Sequence, residues 1–176
     1  MSGHSKWAQI KRQKGAEDAK KSKLFGKLGS LIASEVKKAN GDANAPGVRT
    51  IVEKAKKENM PKDTIERAIK KGQGADAEVI ESLVYEAYGP GGCALVISSL
   101  TSNRNKAVQE IKHILSEHGA SLAEQGAALW AFQKDDEGWT ATVPVPLSDA
   151  DGDMLSRLIE ALEGCDEVDE VFTNAS

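Results

Sequence analysis

The sequence has little of what secreted and membrane proteins usually need. It contains only two cysteines, Cys93 and Cys165, with neither a CxxC spacing nor a framework of several pairs. A disulfide-stabilised secreted domain is therefore not expected, and both thiols are predicted to be reduced and structural. There is no apolar run of about 18 residues, and the N-terminus is charged where a signal peptide would be apolar. These absences predict a cytoplasmic protein that does not bind a membrane.

Recognisable catalytic and metal-binding patterns are also missing. The three histidines are scattered, and His113 and His118 are five residues apart rather than the four that share a helix face. No serine lies in a GxSxG motif, and neither cysteine has a histidine nearby in the sequence. We therefore predict that the protein is not an enzyme and has no catalytic residues, no metal site and no cofactor.

What the sequence does have is an uneven distribution of charge. Residues 1–72 contain 18 Lys and Arg against eight Asp and Glu, a net charge of +10, whereas residues 73–176 contain five against 19, a net charge of −14. Such asymmetry is typical of a nucleic-acid-binding module joined to a part with another partner. The glycine-rich segment 72–76 lies at the change and reads as a linker. We predict two domains, a basic one over 1–74 and an acidic one over 75–176.

The basic domain is predicted to be a helical bundle. Apolar residues recur at helical spacing in three stretches, 22–40, 46–59 and 61–72, and glycine, asparagine or proline separates each stretch from the next.

The acidic domain is predicted to be an antiparallel sheet with two helices on one face. Strands are indicated at 83–88, 93–97, 127–133, 139–145 and 167–173, and helices at 105–118 and 154–162. From Cys93 onward this gives β-α-β-β-α-β, the ferredoxin-like order, so the predicted fold class is α+β. Three alternating aspartates lack the spacing of a calcium loop and are interpreted as charges at a helix start: Asp149, Asp151 and Asp153.

The first 28 residues concentrate the positive charge, with eight Lys and Arg against Glu17 and Asp18. Lysine, arginine and an aromatic ring complement phosphate and base. Trp7 could stack on a base or could pack into the bundle core, and Arg104 with its neighbours Asn103 and Asn105 could hold a phosphate or could only cap a helix. The predicted nucleic-acid-binding residues are His4, Lys6, Trp7, Lys11, Arg12, Lys14, Lys20, Lys21, Lys23, Lys27 and Arg104.

Several stretches also resemble one family. GHSKWAQIK at the start, TIERAIKKG, YEAYGPGG and SNRNKAVQEIKH occur in the order found in the YebC family, whose members are described as bacterial transcriptional regulators and, in mitochondria, as translational activators. The resemblance implies a helical N-terminal domain, ferredoxin-like α/β domains and a nucleic-acid surface around Lys6 to Lys23. Family members usually carry a third domain inserted between two strands of the second. Only residues 134–138 occupy that place here, so the chain is expected to be a short member without it.

Three functional hypotheses follow. The first is a DNA-binding transcriptional regulator that contacts duplex DNA through residues 1–72. The second is a translation factor or translational activator that contacts ribosomal RNA through the same residues. The third is a protein-binding adaptor that uses the acidic domain and binds no nucleic acid. A protein partner for the acidic domain is compatible with all three.

Overall fold

The computed structural model describes residues 17–136 and 138–176, with side chains from Lys20 onward. The chain forms two compact units, which meet in sequence between Glu81 and Ser82. The first unit is helical, and the second combines strands and helices.

The helical unit consists of α1 (Glu17–Lys38), α2 (Pro46–Lys57) and α3 (Lys62–Gln73), which confirms the three predicted helices. Pro46 starts α2 at a position where its missing N–H costs nothing, and Asn40 and Gly41, both at positive φ, end α1. The core of this unit is formed by aliphatic side chains from all three helices: Leu28, Ile32, Val36, Val48, Ala55, Met60, Ile65 and Ala68.

The first and third helices approach closely because small residues line their contact. A Cβ atom added to Gly29 would lie 4.0 Å from Cβ of Ala68, and one added to Gly72 would lie 2.5 Å from the carbonyl oxygen of Ala33. Both pairs are offset by 39 residues, so α3 runs parallel to α1. Gly72 is therefore a residue that the packing requires.

The second unit is built on a four-stranded sheet in the order β3-β1-β2-β6. Its strands are β1 (Glu81–Tyr88), β2 (Ala94–Thr101), β3 (Ser121–Leu122) and β6 (Val168–Thr173). The helices α4 (Arg104–Glu117) and α5 (Asp149–Glu163) pack on one face, where Leu95 and Ile97 of β2 meet Ile111 and Leu158. The predicted α+β class, with helices followed by a sheet that carries two helices on one face, is confirmed.

The other face of the sheet is also covered, which the sequence did not indicate. Strands β4 (Phe132–Asp135) and β5 (Gly138–Ala141) form a separate two-stranded sheet. Phe132 and the half-buried Trp139 pack there against Ala94 and Val96, the β2 residues that alternate with those facing the helices. Strand β2 is therefore buried on both faces, and the unit has three layers.

This arrangement corrects two predictions. The expected strand over 127–133 is mostly a turn with a short 3₁₀ helix, Leu129–Ala131, and the extended backbone begins only at Phe132. The expected ferredoxin-like order does not form one sheet, because the hairpin β4–β5 leaves the main sheet and packs across its face. An apolar run does not by itself distinguish a strand from a buried turn.

The first turn of α5 carries acidic residues, as the sequence predicted. Ser148 caps α5, its Oγ accepting a hydrogen bond from the backbone N–H of Asp151 at 3.1 Å, and Asp149 and Asp151 lie in the first turn. The interpretation as helix N-terminal charges is confirmed for Asp149 and Asp151, whereas Asp153 lies beyond the first turn.

Cys93 and Cys165 are both buried and free. Burial raises the pKa of each thiol, which lowers its thiolate fraction at neutral pH.

An ion pair joins the start of α4 to the segment before β6. Nζ of Lys106 donates a hydrogen bond of 2.8 Å to Oε1 of Glu167, whose side chain is largely buried. Burial raises the pKa of Glu167, but the hydrogen bonds from Lys106 and Thr101 and the charge of Lys106 outweigh it, so the pKa lies below its ordinary value.

The stability of this unit should consequently fall in acid through Glu167. A carboxylate with a lowered pKa in the folded state contributes stability that is fully present above its unfolded pKa, about 4.3. This contribution is lost as the pH falls through the folded pKa. We expect the free energy of unfolding, measured in urea between about pH 6 and pH 3, to fall more steeply for the wild type than for Glu167→Gln. Glu124→Gln, at an exposed position, serves as the control, and equal slopes for all three proteins would contradict the assignment.

Candidate nucleic-acid interface

The structure describes five of the eleven predicted nucleic-acid-binding residues. His4, Lys6, Trp7, Lys11, Arg12 and Lys14 lie outside the described residues. The alternative roles of Trp7, base stacking and core packing, therefore both stay predictions.

The remaining predicted lysines lie on the N-terminal half of α1. Lys20 and Lys21 are exposed, and Lys23 and Lys27 are half-buried. With 3.6 residues per turn, Lys20, Lys23 and Lys27 lie on one side of the helix, away from Leu28 and Ile32 in the core. Their local sequence is unusual because no Asp or Glu occurs between Ala19 and Ser34. Between Ala19 and Ser34 the helix therefore contributes positive charge and no carboxylate.

The helical unit carries ten more lysines and arginines that were not among the predicted nucleic-acid-binding residues. They are Lys37, Lys38, Arg49, Lys54, Lys56, Lys57, Lys62, Arg67, Lys70 and Lys71. Seven of the ten lie in the last turns of the three helices, where a cation is favoured by the helix dipole. Two are paired, Lys38 with Glu35 at 2.7 Å and Lys62 with Glu66 at 3.7 Å. Most of these cations thus have a structural explanation in the helix dipole or in an ion pair.

Arg104 belongs to the sheet unit, whereas the lysines belong to the helical unit. It is the first residue of α4 and is exposed. The preceding Asn103 caps the helix, its Oδ1 accepting a hydrogen bond from the backbone N–H of Lys106 at 3.1 Å. Oγ1 of Thr101 in turn accepts a hydrogen bond from the N–H of Asn103 at 2.9 Å. The capping interpretation of this motif is confirmed, and a phosphate contact by Arg104 stays a prediction.

In the described ranges, no helix is long and apolar enough to cross a membrane. Among the same residues, His, Cys, Asp and Glu side chains form no group of three or more that could hold a metal ion.

The chain belongs to the α+β class, and its basic helical unit precedes an acidic sheet unit. Comparison with known proteins identifies its family. Residues 5–75 match the TACO1/YebC protein N-terminal domain, and residues 80–137 match the TACO1/YebC second and third domain. This chain belongs to the TACO1/YebC family. The match to the second and third domain ends in the turn between β4 and β5.

Its relatives have similar sequences and are longer. A "Probable transcriptional regulatory protein" of Fervidobacterium nodosum is 46% identical over 175 residues, which cover 98% of this chain and 68% of the relative. One of the same description from Petrotoga mobilis is 46% identical over 169 residues, covering 95% of this chain and 66% of the relative. The chain thus spans about two thirds of the length of these relatives.

A solved structure shares the architecture. The crystal structure of a conserved hypothetical protein, Aq1575, from Aquifex aeolicus superposes with a TM-score of 0.76 at 27% sequence identity. The superposition covers 98% of this chain and 97% of that one.

Proposed function

We propose that the protein is a cytoplasmic, non-enzymatic regulator of gene expression that binds nucleic acid through its helical unit. The observation that carries the proposal is the lysine-rich half of α1, with no acidic residue from Ala19 to Ser34. The names of the relatives as probable transcriptional regulatory proteins favour duplex DNA as the first target. A partner protein is proposed for the acidic unit.

Phosphate contacts of this kind should make binding strongly dependent on salt. If about six lysines and arginines contact phosphates of a duplex, counterion release gives a slope of log affinity against log salt of roughly −5. Replacing Lys6, Lys11 and Lys14 together by alanine should reduce the magnitude of that slope by about 2.7, the share of three contacts. The loss should be similar for every sequence, because phosphate contacts position a protein without reading bases.

Fluorescence anisotropy with the full-length chain and a labelled duplex, titrated at several salt concentrations, measures both quantities. The triple variant must first be shown to keep the wild-type circular dichroism spectrum and melting temperature. A folded triple variant with an unchanged slope would remove these three lysines from the interface.

The choice between DNA and RNA needs a separate experiment. Ribosomal RNA is the second candidate target, because the phosphate backbone that lysines recognise is common to both polymers. Crosslinking in cells followed by sequencing distinguishes them. Recovery of promoter DNA supports the transcriptional role, and recovery of ribosomal RNA at one functional centre supports the translational role. If neither is enriched and the protein binds no polynucleotide at moderate salt, the protein-binding adaptor is the function that remains.

A further inference from the structure

Gly26 lies among the lysines of α1 and has no evident role in folding. It is exposed, it lies in the interior of a helix of 22 residues, and a Cβ atom added to it would meet no atom of the described residues within 4 Å. Glycine at an exposed position inside a helix costs about 1 kcal/mol relative to alanine. Gly29 and Gly72 differ from it, because an added Cβ would contact Met60 and Ala68 at the first and collide with Ala33 at the second. The packing of the described helices therefore requires glycine at Gly72, allows a Cβ with ordinary contacts at Gly29, and places no described atom beside Gly26.

The side chains next to Gly26 on the surface of α1 are of types that bind phosphate. Residues three and four apart are neighbours on a helix, so Lys23, Gly26, Lys27 and Ser30 form one contiguous area of the α1 surface. Two members of that area carry positive charge, and the exposed Ser30 carries a hydroxyl that can donate to a phosphate oxygen. At the centre, the missing Cβ lets a bulky group come close to the helix backbone.

We propose that this area, Lys23, Gly26, Lys27 and Ser30, receives the sugar–phosphate backbone of the bound nucleic acid, and that Gly26 is glycine so that the backbone can approach α1. The inference rests on the proposed function and deepens it by assigning the point of closest contact. Lys23 and Lys27 flank the point of approach and neutralise the phosphates on either side. Lys20 continues the same side of the helix toward its N-terminus.

A side chain at position 26 should consequently improve folding and impair binding. Gly26→Ala should raise the melting temperature, because alanine favours the helix and its Cβ meets no other atom. Gly26→Leu should bind a labelled polynucleotide about tenfold more weakly, a change that corresponds to about 1.4 kcal/mol. Gly26→Ala should lie between the wild type and Gly26→Leu in affinity. The control is Thr50→Leu, which places the same side chain at an exposed position on α2 and should leave affinity unchanged.

The charges are tested with a matched pair of double variants. Lys23→Gln with Lys27→Gln should reduce the magnitude of the salt slope by about 1.8, the share of two phosphate contacts. Lys70→Gln with Lys71→Gln removes the same charge from the last turn of α3 and should leave the slope near the wild-type value. Anisotropy titrations of the full-length chain with a labelled DNA duplex and a labelled RNA of equal length measure all of these proteins.

The outcomes separate this inference from the function on which it rests. Gly26→Leu binding as tightly as the wild type, or equal loss of slope in the two lysine pairs, would overturn the assignment of the contact while leaving nucleic-acid binding intact. A wild-type chain that binds neither DNA nor RNA would overturn both.

Discussion

Replacing Gly72 by alanine is expected to destabilise the helical unit by about 2–3 kcal/mol, the upper part of the range for overpacking a close contact. The added Cβ would lie 2.5 Å from the carbonyl oxygen of Ala33, 2.9 Å from its Cα and 2.7 Å from Cβ of Val36. Two of these three atoms belong to the α1 backbone, so they cannot move without displacing the helix. The gain in helix propensity, about 1 kcal/mol, is too small to offset the clash.

Urea unfolding followed by circular dichroism measures this effect, and the helical unit supplies two controls for the same substitution. Gly26→Ala should stabilise, because it gains propensity without a contact, and Gly29→Ala should change stability little, because its Cβ would make only ordinary contacts with Met60 and Ala68. A Gly72→Ala protein as stable as Gly26→Ala would contradict the close packing of α1 and α3.

Removing the carboxylate of Glu86 is expected to destabilise the sheet unit by about 3–5 kcal/mol, because several hydrogen bonds to a charged group are lost together. Glu86 is only 5% exposed. Its Oε1 accepts a hydrogen bond from the N–H of Gly126 at 2.6 Å, and its Oε2 accepts from Ala128 at 2.7 Å and from Leu129 at 2.8 Å. Glu86→Ala would leave these three N–H groups without their acceptor, and Ala128, which carries one of them, is fully buried.

The comparison with Glu86→Gln makes the prediction specific. Glutamine keeps one carbonyl oxygen for Ala128 and Leu129, but its amide group cannot accept the bond from Gly126. We therefore expect a loss for Glu86→Gln that is clearly smaller than the loss for Glu86→Ala, measured as free energy of unfolding in urea at neutral pH. Equal losses for the two variants would contradict this prediction, because glutamine keeps the side-chain volume and the acceptor for Ala128 and Leu129 that alanine removes.

The fold class could be predicted because strong local patterns determined most of it. The three helices of the basic unit, the hairpin β1–β2 and both helices of the sheet unit have apolar residues at a clear period and recognisable ends. Asn103 and Pro46 mark helix starts in the structure at or beside the positions that the sequence indicated, whereas α5 begins at Asp149, earlier than the predicted start at Met154.

The segment 126–131 could not be predicted because its conformation depends on a residue 40 positions earlier. Its sequence, Gly-Ala-Ala-Leu-Trp-Ala, is apolar and compatible with a strand. In the structure, Glu86 binds its backbone N–H groups, which turns the chain away from the sheet and into a 3₁₀ helix. A single acidic residue within a strand gave no sign that it would be buried.

The candidate site was only partly predictable for a different reason. Clustered lysines were visible in the sequence, but helix geometry was needed to show that Lys23 and Lys27 share a surface with Gly26. The role proposed for Gly26 also depends on the three-dimensional structure, in which no atom of the described residues lies within 4 Å of a Cβ added at this position.

The turn between β4 and β5 has a consequence for how this family can change its length. Asp135 and Gly138 are paired directly across the hairpin, so the chain leaves β4 and enters β5 at neighbouring points. An insertion or a deletion at such a point leaves the register of both strands intact, because the two ends that it joins are already side by side. A segment inserted between Asp135 and Gly138 would therefore leave the path of the remaining chain unchanged. The β4–β5 hairpin is therefore a position at which the length of the chain can differ while both strands keep their pairing.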